Sequence, residues 1–248
     1  MAGHSKWANI QHRKGRQDKI RGKLFTRLGK EITIASRIGG GNPDFNPRLR
    51  LAIDKAKASN VSKDVIEKAI KKGTGELEGL EYIEIRYEGY GAGGSAFIVD
   101  VVTDNKNRSA SSVRMNFSRN NGNLGSDGSV SFMFDRRGII TLNKENDFDK
   151  LLEISIVSGA IDVIEKENEI IVITEDKDME NILNILKENN FTTIESEIGM
   201  YPQNEIEITD IEIAKNILNL YDALEDNEDV QNIYSNFNIP NYILEKIN

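Results

Sequence analysis

Residues 139–198 set the architecture of this chain and read IITLNKENDFDKLLEISIVSGAIDVIEKENEIIVITEDKDMENILNILKENNFTTIESEI. Four short segments are typical of strands, and two longer ones repeat apolar residues every three or four positions, as helices do. The predicted elements are strand 139–142, helix 148–157, strand 161–165, strand 169–174, helix 179–187 and strand 192–198. Their order, strand–helix–strand–strand–helix–strand, is that of ferredoxin-like domains. We therefore predict a ferredoxin-like α+β domain over residues 138–200.

The flanking sequence on both sides also alternates strands and helices. Before the ferredoxin-like stretch we predict strands from 81–87 and 96–102, a polar helix over 105–118 and strand character over 129–134. After it we predict a strand over 205–208, an amphipathic helix over 211–224 and a strand over 230–237. These pieces predict one discontinuous α+β domain, residues 80–135 plus 202–248, into which 138–200 is inserted. Two consecutive α+β domains are the alternative.

The N-terminal third is helical in pattern. A helix over about 17–38 carries Leu24, Leu28, Ile32 and Ala35 on one face. A second helix begins with Asn46 as its N-cap and Pro47 at the first helical position. Ser62 is the expected cap of a third helix, whose apolar residues are Val65, Ile66, Ala69 and Ile70 and which ends at Gly73, Thr74 and Gly75. Residues 24–75 are thus predicted to form a small helical domain, and the fold class is α+β in three domains.

The first 23 residues form a basic arm, MAGHSKWANIQHRKGRQDKIRGK, with seven Lys or Arg residues and one acid, Asp18. Residues 1–75 contain 18 basic and 6 acidic side chains, a net charge of +12, so residues 76–248 carry −20 of the total of −8. Such segregation indicates that one end of the chain faces a polyanion, above all a nucleic acid. A lysine-rich solvated face is the alternative interpretation.

Two further groups of basic residues follow, and the first of them overlaps the end of the arm. In the first helix, Lys19, Lys23, Arg27, Lys30 and Arg37 form a stripe that is expected to remain available to phosphates while the apolar stripe packs inward. After Asp104, a second group comprises Lys106, Arg108, Arg114, Arg119, Arg136 and Arg137 among many Asn and Ser residues. Such side chains suit phosphate and sugar groups. Ordinary ion-paired surface helices explain the second group equally well.

Several classes of function have little support in the residues. The chain has no cysteine and two histidines, His4 and His12, both in the basic arm. We therefore predict no metal site, no cofactor and no catalytic residue, and we expect a protein that is not an enzyme. The glycines of EGYGAGGS lead into a strand rather than a helix, which favours a hairpin over a dinucleotide site. No apolar run is long enough to span a bilayer and no signal peptide is evident, so we expect a cytoplasmic protein.

Long motifs distributed along the chain resemble one family. They are MAGHSKWANIQHRKGRQD from Met1, GNPDFNPRLRLAIDKAKASN from Gly41, YEGYGAGG from Tyr87, TDNKNR from Thr103, NGNLGSDGSVSFMFDRRG from Asn121 and DALEDNEDVQNIYSNF from Asp222. By these motifs the chain resembles the YebC/PmpR family, which is related to the mitochondrial translational activator of cytochrome oxidase subunit one. Ala92 departs from the proline that is common in the family.

The resemblance implies three domains and a non-enzymatic role in gene expression. Bacterial relatives are described as probable transcriptional regulators that bind DNA, and relatives have also been connected with ribosomes and with translation through proline runs. The expected partner is therefore DNA or ribosomal RNA, with no membrane partner, and the sequence leaves the oligomeric state open. Trp7 could stack on a base or anchor the arm. The predicted nucleic-acid-binding residues are Lys6, Trp7, Arg13, Lys14, Arg16, Lys19, Lys23, Arg27, Lys106, Arg108 and Arg114, while the acidic domains are expected to brace the arm or recognise a protein.

Overall fold

The fold is mixed α+β, with helices at the N-terminus and two four-stranded sheets after them. The structure, a computed structural model, describes residues 17–166 and 169–247, and side chains from residue 22 onward. The helices are α1 Gln17–Gly39, α2 Pro47–Ala58, α3 Lys63–Thr74, α4 Lys106–Arg119, α5 Phe148–Val157, α6 Met179–Glu188, α7 Ile211–Glu225 and α8 Asn241–Ile247. The strands are β1 Ile83–Tyr90, β2 Ala96–Thr103, β3 Asn123–Leu124, β4 Phe134–Asn143, β5 Asp162–Glu165, β6 Glu169–Thr174, β7 Thr193–Pro202, β8 Ile206–Glu207, β9 Val230–Ser235 and β10 Phe237–Asn238.

Helices α1 to α3 pack around one apolar core. The side chain of Asn46 caps α2 by accepting from the backbone N–H of Leu49 at 3.1 Å, as the sequence predicts. Gly73 lies where α3 crosses α1, since a Cβ there would stand 2.3 Å from the carbonyl oxygen of Thr33. Ser62 occupies the N-cap position of α3, but its side chain makes no capping hydrogen bond. The sequence thus predicts the cap of α2, whereas the close approach of α3 to α1 at Gly73 is visible only in the tertiary structure.

Two expected core positions of the helical region are exposed instead. Leu24 is 39% exposed and Val65 is 46% exposed. The buried residues of the shared core begin one turn after Leu24, at Leu28, with Phe25 packed against them, and on α3 they include Ile66 and Ala69. Helical periodicity identifies an apolar face but not where along that face a neighbouring helix begins to cover it.

The first sheet has the strand order β3-β1-β2-β9 and is antiparallel throughout. Strands β1 and β2 form the predicted hairpin, in which Ile83 pairs with Thr103 and Tyr90 with Ala96. Its glycines allow close backbone approach, because a Cβ on Gly89 would lie 2.6 Å from the carbonyl oxygen of Asn123. Helices α4 and α7 cover one face through a core that includes Phe97, Phe117 and Tyr221.

The second sheet has the order β5-β6-β4-β7, with every neighbouring pair antiparallel. The first and third strands of the unit, β4 and β6, are adjacent at the centre of the sheet, and its second and fourth strands, β5 and β7, lie at the edges. This arrangement confirms the ferredoxin-like prediction. Helices α5 and α6 cover one face, and the core contains Ile140, Leu142, Leu151 and Ile182.

Three boundaries differ from the sequence-based expectation. Residues 131–133 form a 3-10 turn rather than part of a strand, and β4 starts only at Phe134. Strand β4 is then longer than expected, because it pairs with β7 from Phe134 to Leu142. The expected last strand is divided into β9 and β10, and α8, which the sequence reading missed, follows them.

The core beneath the first sheet combines residues from both sides of the ferredoxin-like unit, such as Val113 and Phe117 with Leu218 and Leu244. The predicted discontinuous domain is compatible with this packing, and its bounds stay a prediction. In the described part of the chain, no helix is both long enough and apolar enough to cross a membrane.

Candidate nucleic-acid interface

The predicted contact residues fall into three groups in the structure. Lys6, Trp7, Arg13, Lys14 and Arg16 lie outside the described residues, as do the two histidines. Lys19 lies in α1, where the structure describes the backbone and not the side chain. Lys23 and Arg27 on α1, and Lys106, Arg108 and Arg114 on α4, are described in full. Their surroundings define the candidate site.

The basic stripe of α1 faces an acidic segment of the same chain. This acidic segment, Glu225–Asp229, reads EDNED and joins the end of α7 to β9. Lys23 forms an ion pair with Asp226. The guanidinium of Arg27 donates to the carbonyl oxygen of Glu225 at 2.5 Å. Two of the predicted phosphate contacts therefore have an internal partner.

Arg27 is the less satisfied of these two cations. Its Nε is buried and has no hydrogen-bond partner among the described residues. Burial lowers the pKa of Arg27, although the nearby Glu225, Tyr221 and Asp226 act in the opposite direction. The α1–α7 contact thus holds a guanidinium whose hydrogen-bonding capacity is only partly used.

Lys30 corrects the expectation that the whole stripe stays available to phosphates. It is only 9% exposed, and its ammonium donates to Asp229 at 3.0 Å and to the carbonyl oxygens of Val102 and Glu228 at 3.1 and 2.9 Å. Arg37, further along the stripe, donates to the carbonyl oxygen of Tyr82. The sequence shows which face of α1 is basic, but only the tertiary structure shows that an acidic segment contacts Lys23, Arg27 and Lys30 of that face.

Asp229 connects α1 to α4. Its buried carboxylate accepts from Arg108 at 2.9 Å, from the hydroxyl of Ser109 at 2.7 Å and from that of Thr103 at 3.2 Å, in addition to Lys30. Burial raises the pKa of this carboxyl, but the hydrogen bonds from Ser109, Arg108 and Lys30 outweigh it, so the pKa lies below its ordinary value. Arg108 also pairs with Asp104 at 2.7 Å. It is therefore an ion-paired side chain rather than an unoccupied phosphate ligand.

The outer face of α4 has a different character. The helix reads KNRSASSVRMNFSR and contains no acid. Its exposed basic residues Lys106, Arg114 and Arg119 form no salt bridge within the part of the chain that the structure describes. Exposed Asn and Ser side chains lie among them, at Asn107, Ser111 and Ser118. This acid-free face offers charge and hydrogen-bond donors to a phosphate backbone.

The acidic segment also brings the two basic groups close together. Asn227 donates from its side-chain amide to the hydroxyl of Ser112 on α4 at 3.0 Å, while its neighbour Asp226 pairs with Lys23 on α1. One turn further along α4, Asn116 donates to the carbonyl oxygen of Ala223 at 3.0 Å. The end of α1 that carries the arm and the middle of α4 therefore lie on two sides of the same short segment.

The remaining basic residues of the second group do not join this surface. Arg136 and Arg137 lie on β4 and pair with Asp176 and Glu175, which follow β6, both at 3.0 Å. The interpretation as ion-paired surface residues is confirmed for these two. Lys106, Arg114 and Arg119 have no such partner among the described residues, and for them both interpretations stay open.

Sequence reasoning missed the acidic segment as part of the site. The available signal was its composition, four acids in five residues within DALEDNEDV, opposite in sign to the stripe on α1. Charge complementarity between distant segments is visible in a sequence, but it does not specify which acids meet which bases. No cluster of His, Cys, Asp and Glu that would hold a metal ion occurs within the described residues.

Comparison with known proteins identifies relatives along the whole chain. The family model described as the TACO1/YebC protein N-terminal domain matches residues 5–76, and the model for the TACO1/YebC second and third domain matches residues 82–237. A probable transcriptional regulatory protein of Fusobacterium nucleatum is 57% identical over 248 residues, covering 100% of both chains. One from Geobacter sulfurreducens is 51% identical over 247 residues, again covering 100% of both. The crystal structure of a conserved hypothetical protein from Aquifex aeolicus has a TM-score of 0.82 and 42% identity, covering 92% of each chain.

Proposed function

We propose that this chain, which belongs to the TACO1/YebC family, is a non-enzymatic regulator of gene expression that binds nucleic acid through its basic N-terminal arm and the outer face of α4. Relatives that match it end to end are named probable transcriptional regulatory proteins, which supports the regulatory role. DNA is the first candidate partner, and the cytoplasm is the expected place of action.

One observation carries this proposal. The α1 end that bears the arm and α4 meet at the acidic segment, through Lys23–Asp226 on one side and Asn227–Ser112 on the other. A polyanion that engages the arm therefore has a further exposed cation of α4 within reach at Arg119, which lies two turns after Ser112 on the same side of the helix. Lysine and arginine side chains that neutralise phosphates supply most of the sequence-independent affinity for nucleic acid.

The geometry favours phosphate contact over base recognition in the helical region. Helix α2 would be the counterpart of a recognition helix, but it reads PRLRLAIDKAKA and carries no Asn or Gln. Its two arginines lie in ion pairs, Arg48 with Glu31 at 2.7 Å and with Glu84 at 2.5 Å, and Arg50 with Glu180 at 2.9 Å. A helix that reads bases offers Asn, Gln and Arg side chains together to the groove.

The same observation supports a second candidate function, a ribosome-associated translation factor that binds ribosomal RNA. Folded RNA is recognised largely through its shape, its phosphates and its exposed bases rather than through a recognition helix in the major groove. The arm, with Trp7, would then enter folded RNA while α4 contacts its backbone. DNA and RNA binding make different predictions in cells.

The first test measures binding by fluorescence anisotropy with a labelled 20-base-pair duplex over a series of salt concentrations. Replacing Lys106, Arg114 and Arg119 together by Ala should remove about three phosphate contacts and flatten the slope of log K against log salt by about 2.7. A second variant replaces six residues of the arm by Ala and should remove about six contacts: Lys6, Arg13, Lys14, Arg16, Lys19 and Lys23. Six phosphate contacts make the affinity of the wild type fall by roughly a thousandfold between about 50 and 200 mM salt, and the variant should lose this part of the salt dependence.

The matched control removes the same charge elsewhere, by replacing Arg136, Lys177 and Lys187 by Ala. These three exposed residues lie on β4, between β6 and α6, and on α6. An unchanged slope in the α4 variant, or an equal change in this control, would refute the proposal that α4 contacts nucleic acid.

A second test distinguishes DNA from ribosomal RNA. The native protein is crosslinked in cells, and the recovered DNA and RNA are both sequenced. Discrete promoter peaks support transcriptional regulation. Reproducible crosslinks to one region of ribosomal RNA, with DNA at background, support translation instead.

A further inference from the structure

The two ion pairs between α1 and the acidic segment differ in their accessibility. In the Lys23–Asp226 pair the side chains are 21% and 53% exposed. In the Lys30–Asp229 pair they are 10% and 8% exposed. An exposed ion pair contributes little to stability and exchanges readily, whereas removing one partner of a buried pair is strongly unfavourable. The outer pair can therefore open while the inner pair keeps α1 attached.

Between these two ion pairs, the hydrogen-bonding capacity of Arg27 is also only partly used. Arg27 lies one turn after Lys23, and its buried Nε has no hydrogen-bond partner within the described residues. Its guanidinium donates to a backbone carbonyl oxygen, that of Glu225. A phosphate oxygen is a stronger acceptor for guanidinium than a neutral carbonyl, because the hydrogen bond is then assisted by charge on both sides. The outer part of the stripe is thus held by partners that a phosphate can replace.

We infer that the acidic segment is an internal competitor of nucleic acid, in which Asp226 occupies Lys23 until a phosphate displaces it. This inference rests on the proposed function and deepens it, since it assigns a regulatory role to a segment outside the basic surface. The inner pair, Lys30 with Asp229, stays closed in both states and keeps α1 beside α4. Binding then exchanges one internal ion pair for one phosphate contact.

The test compares Asp226→Asn with Glu212→Gln in the full-length protein. Glu212, at the start of α7, is the matched control because it is also an acid that is paired with a lysine, Lys215, at 2.8 Å. Anisotropy is measured with a labelled 20-base-pair duplex and with an RNA stem–loop, each over a series of salt concentrations. Circular dichroism spectra and thermal melts verify that both variants fold.

Asp226→Asn should tighten binding by about twofold to fivefold at low salt, the range that corresponds to an exposed ion pair. On duplex DNA its salt slope should equal that of the wild type, because Lys23 contacts a phosphate in both complexes. Glu212→Gln should leave the affinity unchanged. Adding Lys23→Ala to Asp226→Asn should remove the gain in affinity and flatten the slope by about 0.9 relative to the wild type, because one phosphate contact is lost.

Equal behaviour of Asp226→Asn and Glu212→Gln, or weaker binding by Asp226→Asn, would overturn the inference, and weaker binding would mean that the acidic segment braces the arm. Either result leaves the proposed function standing as long as the wild-type protein binds with a steep salt dependence. Absence of such binding in the wild type refutes the proposed function itself.

Discussion

Asp229→Asn should destabilise the protein far more than any exposed acid would. The buried carboxylate of Asp229 accepts from the ammonium of Lys30 at 3.0 Å and from Arg108 at 2.9 Å, as well as from two hydroxyl groups. An amide of the same shape keeps one acceptor oxygen, loses the charge and directs an NH₂ group toward donors. Breaking a buried ion pair by removing one charge costs about 3–5 kcal/mol. The two carbonyl oxygens that Lys30 retains reduce this cost, so we expect about 3 kcal/mol.

Urea denaturation followed by circular dichroism measures the free energy of unfolding at pH 7. Asp100→Asn is the control, because Asp100 pairs with Arg86 at 2.7 Å but both side chains are more exposed, at 27% and 40%. Removing such a pair should cost less than about 1 kcal/mol. A loss of less than about 1 kcal/mol in Asp229→Asn would contradict the assignment of Asp229 as the node between α1 and α4.

The pH dependence gives an independent check. The folded-state pKa of Asp229 is lowered, because hydrogen bonds from Ser109, Arg108 and Lys30 outweigh the effect of burial. Its ionised form therefore contributes stability that is present above the unfolded pKa of about 3.9 and is lost as the pH falls through the folded pKa. The difference between wild type and Asp229→Asn should be the same at pH 7 and pH 5 and should shrink only below about pH 4. A difference that shrinks already between pH 7 and pH 5 would refute the reasoning.

Three other substitutions have defined outcomes in thermal or urea unfolding. Glu88→Gln should cost about 1–3 kcal/mol, since the buried carboxylate of Glu88 accepts from three backbone N–H groups, including that of Val130 at 2.8 Å. Gly73→Ala should cost about 1–3 kcal/mol because its Cβ would meet the carbonyl oxygen of Thr33, and wild-type stability would show that α1 and α3 separate without cost. A Cβ added at Gly29 on α1 would have no heavy atom within 4 Å, so Gly29→Ala should stabilise the protein by about 0.5–1 kcal/mol. A loss of stability in this variant would contradict the packing described for α1.

The sequence predicts the elements well where a local signal defines them. The N-cap of α2 is an example, because Asn46 followed by Pro47 is a capping pattern that acts within four residues. The ferredoxin-like unit is another, since its alternating and helical periods occur in an order with few possible sheet topologies. Helix α8 lacked such a signal, and residues 129–134 looked like a strand although they include a 3-10 turn.

The candidate site is less predictable, for a physical reason. Local sequence determines that α1 has a basic face and that α4 carries no acid, because helical periodicity fixes which side chains share a face. It does not determine that Lys30 is buried against Asp229 while Arg114 remains without an ion-pair partner among the described residues. Those outcomes depend on contacts between segments that are far apart in the chain, such as the contact of Lys30 with Asp229, which lie 199 positions apart.

The sequence by itself therefore determined the fold class, the basic N-terminal region and the family. Each of these follows from composition, periodicity or long motifs that are present in the chain before it folds. Only the tertiary structure decided which basic residues are occupied, because an acid and a base neutralise each other only when folding brings them within a few ångströms. The acidic segment Glu225–Asp229 is the clearest case, since it contacts Lys23, Arg27 and Lys30 of α1 and leaves the outer face of α4 exposed.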